Sequence, residues 1–422
     1  MPKDPKPKDP KPKDPKPKDP NPKDPKPALT AALSQALTTR AALSRLRTLS
    51  LPPPAATDFS SNDFLSLSRS PHLRRLLLAE LSTHPTHPLG SGGSRLLDGN
   101  TPYACALEAS IARHHSAPAG LLFTSGFDAN AALFACVPQP GDTVVHDALI
   151  HASVHEGLRS SRAAAHTAFA HNDLAAFRRA LAAIPRDGRN VFVAVESLYS
   201  MDGDVAPLAE LLDAADELLE RGALFVVDEA HATGVLGPGG RGLVAMLGVE
   251  ERVWARLHTF GKALACNGAI ILTDAITREY LINYARPLIY TTALSFPALA
   301  AISAAYTLLR TAHAAALQSR LHTLTLLLHQ RLSSLPPSPQ TLTLPPVRPT
   351  PILALFTPHP RALAAHLQKR GLVARPIVFP TVPAGTERVR ICVHAGNTVD
   401  DVEALVEAVR EWVVETARGS KI

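Results

Sequence analysis

Residues 223–231 read ALFVVDEAH, and residues 258–262 read HTFGK. Leu224 to Val227 form an unbroken apolar run, the pattern of a strand buried on both faces. The run ends in Asp228, with His231 three residues on. A strand that leaves a dry core in an acid and an imidazole delivers both to one place. Lys262 follows Thr259 and Gly261 between apolar residues. An amine in such a setting is desolvated, which favours its neutral, nucleophilic form.

A carboxylate, an imidazole and a desolvated lysine are the groups needed to hold pyridoxal phosphate. The lysine makes the Schiff base, the aspartate keeps the pyridine nitrogen protonated, and the imidazole tunes the ring hydroxyl. DEAH is also a magnesium-binding motif of helicases, but that reading requires a G-x-x-x-x-G-K-[ST] loop, which the chain lacks. Gly237–Gly242 (GPGGRG) matches G-x-G-x-x-G. It follows a loop instead of opening a strand–turn–helix unit and contains a proline, so the dinucleotide reading fails.

The chain has 422 residues, 46% of them hydrophobic, enough for one large and one smaller domain. Of its net charge of +6, nine lysines and five aspartates in residues 1–27 supply +4, leaving +2 for the rest. A balance that small argues against a nucleic-acid face on the folded part. Cys105, Cys136, Cys266 and Cys392 form no CxxC and no zinc spacing. They read as reduced thiols of an intracellular protein, and no metal site is expected. Nor does any apolar run reach bilayer length, or a signal peptide precede the fold, so no membrane partner is expected.

Residues 1–27 are a Pro/Lys/Asp repeat, read as a disordered tail because proline blocks helix and removes donors. Residues 28–57 read as an N-terminal helical segment, with helix over Ala28–Leu49. Residues 58–294 read as a large domain of alternating strands and helices, and residues 295–422 as a small α+β domain. In the large domain, strands are expected at Leu121–Thr124, Thr143–His146 and Val191–Val195, the last ending at Glu196. Helices follow at Phe127–Val137 and Pro207–Arg221. Alternation at this spacing predicts an α/β fold with a mainly parallel sheet covered by helices. Its ligand crevice belongs at the carboxyl ends of the strands. Thr124–Gly126, His151, Ser200, Asp228, His231 and Thr259–Lys262 all fall there. The Gly126–Phe127 helix start is an anion site, where free amides and the helix dipole favour phosphate. In the small domain, helices are expected at Pro297–Leu317, Gln318–Leu335, Pro360–Arg370 and Val399–Thr416, with strands near Val347–Phe356 and Glu387–Val393.

As a set, several segments resemble the α-oxoamine synthase family of fold-type-I pyridoxal phosphate enzymes. They are FSSNDFLSL (59–67), GSGGSRLLDGN (90–100), TSGFDAN (124–130), HAS (151–153), ESLYSMDGD (196–204), VDEAH (227–231), HTFGKAL (258–264), ARPLIYTT (285–292) and PTVPAGTERVR (380–390). The resemblance runs from about residue 40 to the C-terminus. It implies the type-I transferase fold, with a seven-stranded type of sheet, and a homodimer with sites at the interface. Lys262 would carry the cofactor, Asp228 pair with its ring nitrogen, His231 with its hydroxyl, and His151 stack on its face. Gly126, Phe127, Ser200 and Thr259 would hold the phosphate or neighbouring groups, with Thr291 or Thr292 reaching the partner subunit's phosphate. Arg390 would bind the amino-acid carboxylate, and Arg47, Asn62 and Thr381 would contact substrate. The implied reaction condenses L-alanine with pimeloyl-CoA or another pimeloyl thioester, losing carbon dioxide and coenzyme A, as a step of biotin biosynthesis. Other members, such as 2-amino-3-ketobutyrate ligase, use the same chemistry on other substrates, and a scaffold could keep the fold without catalysis.

Two places depart from the family pattern. The glycine run after the lysine reads Ala265-Cys266-Asn267-Gly268-Ala269, and His394 and Asn397 replace the usual threonine and histidine beyond Arg390. Finally, Ser420-Lys421-Ile422 resembles the Ser-Lys-Leu peroxisomal address, which makes the peroxisome the expected location and the cytoplasm the alternative.

Overall fold

The computed structural model describes residues 26–49, 51, 53–185, 188–335, 341–346, 349–417 and 419. The repeat at residues 1–25 and the tripeptide Ser420-Lys421-Ile422 lie outside the described residues. The chain divides into two units, Met1–Pro53 and Pro54–Ile422.

The first unit holds one helix, Lys26–Ala42, with Pro27 in its first turn, where a missing N–H costs nothing. The expected helix to Leu49 stops short. Ser44 takes a φ of 53°, a left-handed conformation that no α-helix continues through.

In the second unit the strands run β1 (Thr57–Asp58), β2 (Ala119–Phe123), β3 (Thr143–Asp147), β4 (Ala165–Phe169), β5 (Val191–Glu196) and β6 (Leu224–Asp228). They continue as β7 (Ala255–Thr259), β8 (Ala269–Thr273), β9 (Ile352–Phe356), β10 (Leu372–Val373), β11 (Arg375–Ile377) and β12 (Arg388–Cys392). Seven of them form the central sheet, in the order β2-β8-β7-β6-β5-β3-β4. Pairings from β7 through β6, β5 and β3 to β4 are parallel, while β8 runs antiparallel between β7 and β2. The sheet is therefore mainly parallel, as the alternation predicts.

The apolar run of β6 explains its place in the middle of that sheet. Phe225 and Val227 join one apolar cluster and Val226 joins another, so successive side chains fill the cores on opposite faces. A three-stranded antiparallel sheet, β11-β12-β9, follows in the C-terminal part with the helices Pro360–Lys369 and Val399–Ala417. One apolar cluster runs from Leu122 and Ile270 through Leu299 and Ile302 to Ile352 and Ile391, so the two sheets share a core.

Three features differ from the sequence expectation. β4 and the helix Leu174–Ala182 were not foreseen: residues 165–168 are exposed and show no apolar alternation. β8 (AIILT), which directly follows the lysine loop, was not foreseen either. The break between the two long C-terminal helices falls at Arg310–Thr311 instead of 317–318. Thr311 caps the second helix, accepting from the Ala314 amide, and that local bond overrides the continuous Ala/Leu pattern.

The motif decoys also find a place. Glu229 of DEAH is fully buried, and its two carboxyl oxygens accept from the Leu243 and Val244 amides at 2.9 and 2.8 Å. Gly242, the last glycine of GPGGRG, has a φ of 97°, and a Cβ there would lie 2.4 Å from Glu229 Oε2. The glycine run thus lets backbone close around an acid of the same chain.

Candidate active site

Strand register assembles the acidic side of the site. Glu196 and Asp228 are the last residues of β5 and β6 and stand opposite each other in the ladder. Both side chains therefore leave the same face of the sheet at neighbouring positions. Asp228 is buried and held at both oxygens: Oδ1 accepts from the Ala230 amide at 2.9 Å, and Oδ2 accepts from Asn130 Nδ2 at 2.7 Å.

Asn130 continues the network. Its amide nitrogen also donates to Ser153 Oγ at 3.0 Å, and Ser153 Oγ lies 2.7 Å from His151 Nδ1. The Ser153 amide donates to the same Nδ1, which marks it as the acceptor and places the ring proton on Nε2. A hydrogen-bond chain thus runs from Asp228 through Asn130 and Ser153 to His151, fixing the imidazole of a residue otherwise open to solvent.

Lys262 lies in the loop between β7 and β8. It keeps some exposed surface, but burial lowers the pKa of its amine, against the pull of Asp228 and Glu196 and with help from Arg390. His231 is buried, and its Nδ1 has no partner. Burial holds it well below the ordinary imidazole range, and Lys262 and Arg390 push it the same way. His151 is lowered too, chiefly by burial. The site therefore carries neutral imidazoles and a lysine biased toward its free amine.

An anion cradle adjoins these groups. Ser125 caps the helix Gly126–Cys136, accepting from the Asp128 amide, so the Gly126 and Phe127 amides point out of the helix end. Gly126 packs on Thr259: a Cβ built on it would lie 3.5 Å from Thr259 Cβ. The Phe127 ring meets the His151 ring edge-on at 6.4 Å.

Arg390 on β12 is buried, donates to Asn62 Oδ1 at 2.7 Å, and leaves its Nε without a partner. The segment carrying Asn62 is locked by His394 and Asn397, the second of the family departures. His394 Nε2 lies 3.1 Å from Ser61 Oγ, and Asn397 Nδ2 donates to the Asp58 carbonyl at 3.3 Å. Ser200 and Thr381 line a cavity of about 400 Å³ with Leu149, Met201 and Phe379. Thr291 and Thr292 line a different and far smaller one, of about 20 Å³, with Arg95 and Thr124. Arg47 belongs to the N-terminal unit, after its helix, and is not among the residues that the larger unit brings together here.

The groups present fit pyridoxal phosphate: a held carboxylate, an unpartnered buried imidazole, a low-pKa lysine and an open helix N-terminus beside a threonine. Sequence reading missed Asn130, Ser153 and a role for Glu196. An asparagine and a serine on helices carry no local signal, since their partners come from distant strands and loops.

A family model described as aminotransferase class I and II matches residues 54–409. The 8-amino-7-oxononanoate synthase of Emericella nidulans is 50% identical over 395 residues, covering 91% of this chain and 96% of that protein. The aminoacyl transferase sphA of Aspergillus fumigatus is 43% identical, covering 85% of this chain and 81% of its own. Among solved structures, the serine palmitoyltransferase of Sphingomonas wittichii superposes with a TM-score of 0.81 at 24% identity, covering 93% and 99% of the two chains, and shares the fold. The chain belongs to the class I and II aminotransferase family and, within it, to the α-oxoamine synthases, acyltransferases that work with pyridoxal 5′-phosphate.

Proposed function

We propose that this enzyme condenses L-alanine with pimeloyl-CoA or another pimeloyl thioester, releasing carbon dioxide and coenzyme A, and so makes 8-amino-7-oxononanoate for biotin. The observation that carries the reading is the 50% identity to the Emericella synthase across nearly the whole of both chains.

When bound, the cofactor supplies an electron sink for the pair left at the amino acid's α-carbon. The residues do the rest. Asp228, held by Asn130 and Ala230, would keep a proton on the ring nitrogen. The unpartnered Nδ1 of His231 would serve the ring hydroxyl, and His151 would stack on the ring. Gly126 and Phe127 amides, Thr259 and Ser200 would bind the phosphate and its surroundings. Arg390, oriented by Asn62, takes the substrate carboxylate through donors left free. Lys262, whose amine is biased toward its neutral form, would take the α-proton and return a proton to the product. Thr381, in the wall of the large cavity, would contact the incoming substrate, and the apolar walls at Leu149, Met201 and Phe379 suit an alkyl chain. A homodimer, with Thr291 or Thr292 serving the second copy's phosphate, is part of the proposal, and sedimentation of the purified protein tests it. A peroxisomal location rests on Ser420-Lys421-Ile422. Diffuse fluorescence of an N-terminally tagged fusion, both with and without those residues, overturns it.

The relative sphA at 43% identity favours a second reading, another α-oxoamine synthase with a different acyl donor or amino acid. Coenzyme A release from a thioester panel separates the two. Pimeloyl-CoA with L-alanine should lead acyl chains one methylene away by roughly tenfold, the discrimination an apolar pocket gives. Release from acetyl-CoA with glycine, and none with the expected pair, would establish a ligase of the 2-amino-3-ketobutyrate type instead.

A further inference from the structure

Glu196 has no part in the chemistry above, yet it lies inside the site. It ends β5 beside Asp228, is 3% exposed, and its Oε1 is buried without a hydrogen-bond partner. The backbone amide of Ser200 is a donor to its carboxyl. The titratable groups that face it are Asp228 from β6, Lys262 from the loop after β7, Asp147 from the end of β3, and Tyr199 from its own exit turn. Asp147 is already matched by His171, which bonds it at 2.8 Å. Tyr199 is buried and keeps its proton. Two neighbouring carboxyls therefore remain with one lysine, and side-by-side carboxyls out of water do not both ionise.

Their hydrogen bonds differ. Asp228 receives N–H donors at both oxygens, which favours its charged form. Glu196 has an oxygen with no donor at all, which penalises a charge there and leaves room for an O–H. Burial, with Asp228 adding to it, also raises the Glu196 pKa well above the ordinary carboxyl range.

We propose that Glu196 is a further positioning residue of this site: its carboxyl keeps the proton of the Glu196–Asp228 pair and offers it as a hydrogen bond toward the bound cofactor, leaving Asp228 as the anion. The proposal rests on the cofactor and not on the choice of substrates. It also accounts for Lys262. A second anion beside the amine would hold a proton on it, whereas a neutral Glu196 leaves it free to deprotonate.

Two measurements on the holo-protein and one on the protein stripped of cofactor test this. Glu196→Gln keeps the size and a donor but has no charge. The pH midpoint of the bound cofactor's visible absorbance should stay within about half a unit of wild type. Removing an anion beside Lys262 would instead lower it by about one unit or more, and that shift overturns the proposal. In the stripped protein, the infrared carbonyl band of protonated carboxyl groups at neutral pH should lose intensity in Glu196→Gln. An unchanged band overturns it. Glu196→Leu, with no donor, should release the cofactor about tenfold more readily than Glu196→Gln, the loss expected for one buried hydrogen bond. Equal retention by the two variants overturns it. Should Glu196→Leu fail to fold, the absorbance and infrared results on Glu196→Gln decide alone.

Discussion

Two pairs of acids at or just beyond the strand ends of the central sheet are each matched by one base, and they are settled in opposite ways. Asp147 and Asp204 clamp His171, whose ring nitrogens lie 2.8 Å from an oxygen of each. Burial alone would lower that imidazole, but the bonds to the two acids outweigh it and push its pKa up to about 10. The ring of this cluster is charged and bonded at both nitrogens, Tyr199 packs edge-on against it at 4.5 Å, and Asp204 keeps one oxygen without a partner. Asp228 and Glu196 face Lys262, whose basicity falls instead of rising, and both Glu196 Oε1 and the nearby His231 Nδ1 lack partners. The first cluster ties the turns after β3, β4 and β5 together through a base that bonds both of its acids. Each cluster keeps a buried polar atom without a partner, Asp204 Oδ1 in the first and Glu196 Oε1 in the second. Burial and acid–base pairing are common to both, so what separates them is the direction in which the base is moved, up where its acids bond it and down where burial wins.

The sharpest break of the reactive cluster is Lys262→Ala, which should abolish turnover. Visible absorbance that survives in the variant and is trapped by borohydride would place the attachment elsewhere. Asp228→Asn should retain cofactor yet slow turnover about a thousandfold, since an amide does not hold the ring nitrogen protonated. A near-wild-type rate with L-alanine would remove Asp228 from that role. Asn130→Leu cuts the tie between Asp228 and His151 without touching either. The loss of one hydrogen bond to a carboxylate, about 2 kcal/mol, predicts a fall in kcat/KM of roughly thirtyfold, read by steady-state kinetics.

The smallest effect belongs to the His171 cluster, and it concerns stability. His171 is raised on folding, so its contribution is complete below the unfolded imidazole pKa near 6.5 and is lost as pH climbs toward about 10. The Tm advantage of wild type over His171→Gln should therefore be constant in mild acid and shrink across that window. An advantage that grows with pH would reverse the assignment of charge.

Much of the reactive cluster was legible because it is written at strand ends. The apolar run before Asp228 and the strand before Glu196 each terminate at an acid, and a parallel sheet collects such ends on one edge. What stayed hidden is whatever depends on pairing across the fold. Asn130 reads as an ordinary polar residue of a helix until β6 arrives beside it, 98 positions later in the chain. Glu196 was visible as a strand end, but its missing partner is a property of the assembled interior. His394 and Asn397 stood out only as departures. The structure shows them bracing the Asp58–Asn62 segment against β12, so the exchange keeps Asn62 in reach of Arg390. β4 escaped notice because an exposed edge strand needs no hydrophobic signature.

The contact between Glu229 and the glycine run has a bearing on how motifs are read. A loop of glycines with amides converging on one point is the form proteins use to receive a phosphate. Here the chain inserts its own carboxyl group into that form, so the vacancy that a nucleotide would need is filled from within. Glu229 lies between Asp228 and the turn that carries His231, so the glycine loop acts as a mooring for the exit of β6. A methyl group at position 242 would push against Glu229 and, through it, disturb the imidazole two residues along, far from anything the letters GPGGRG suggest.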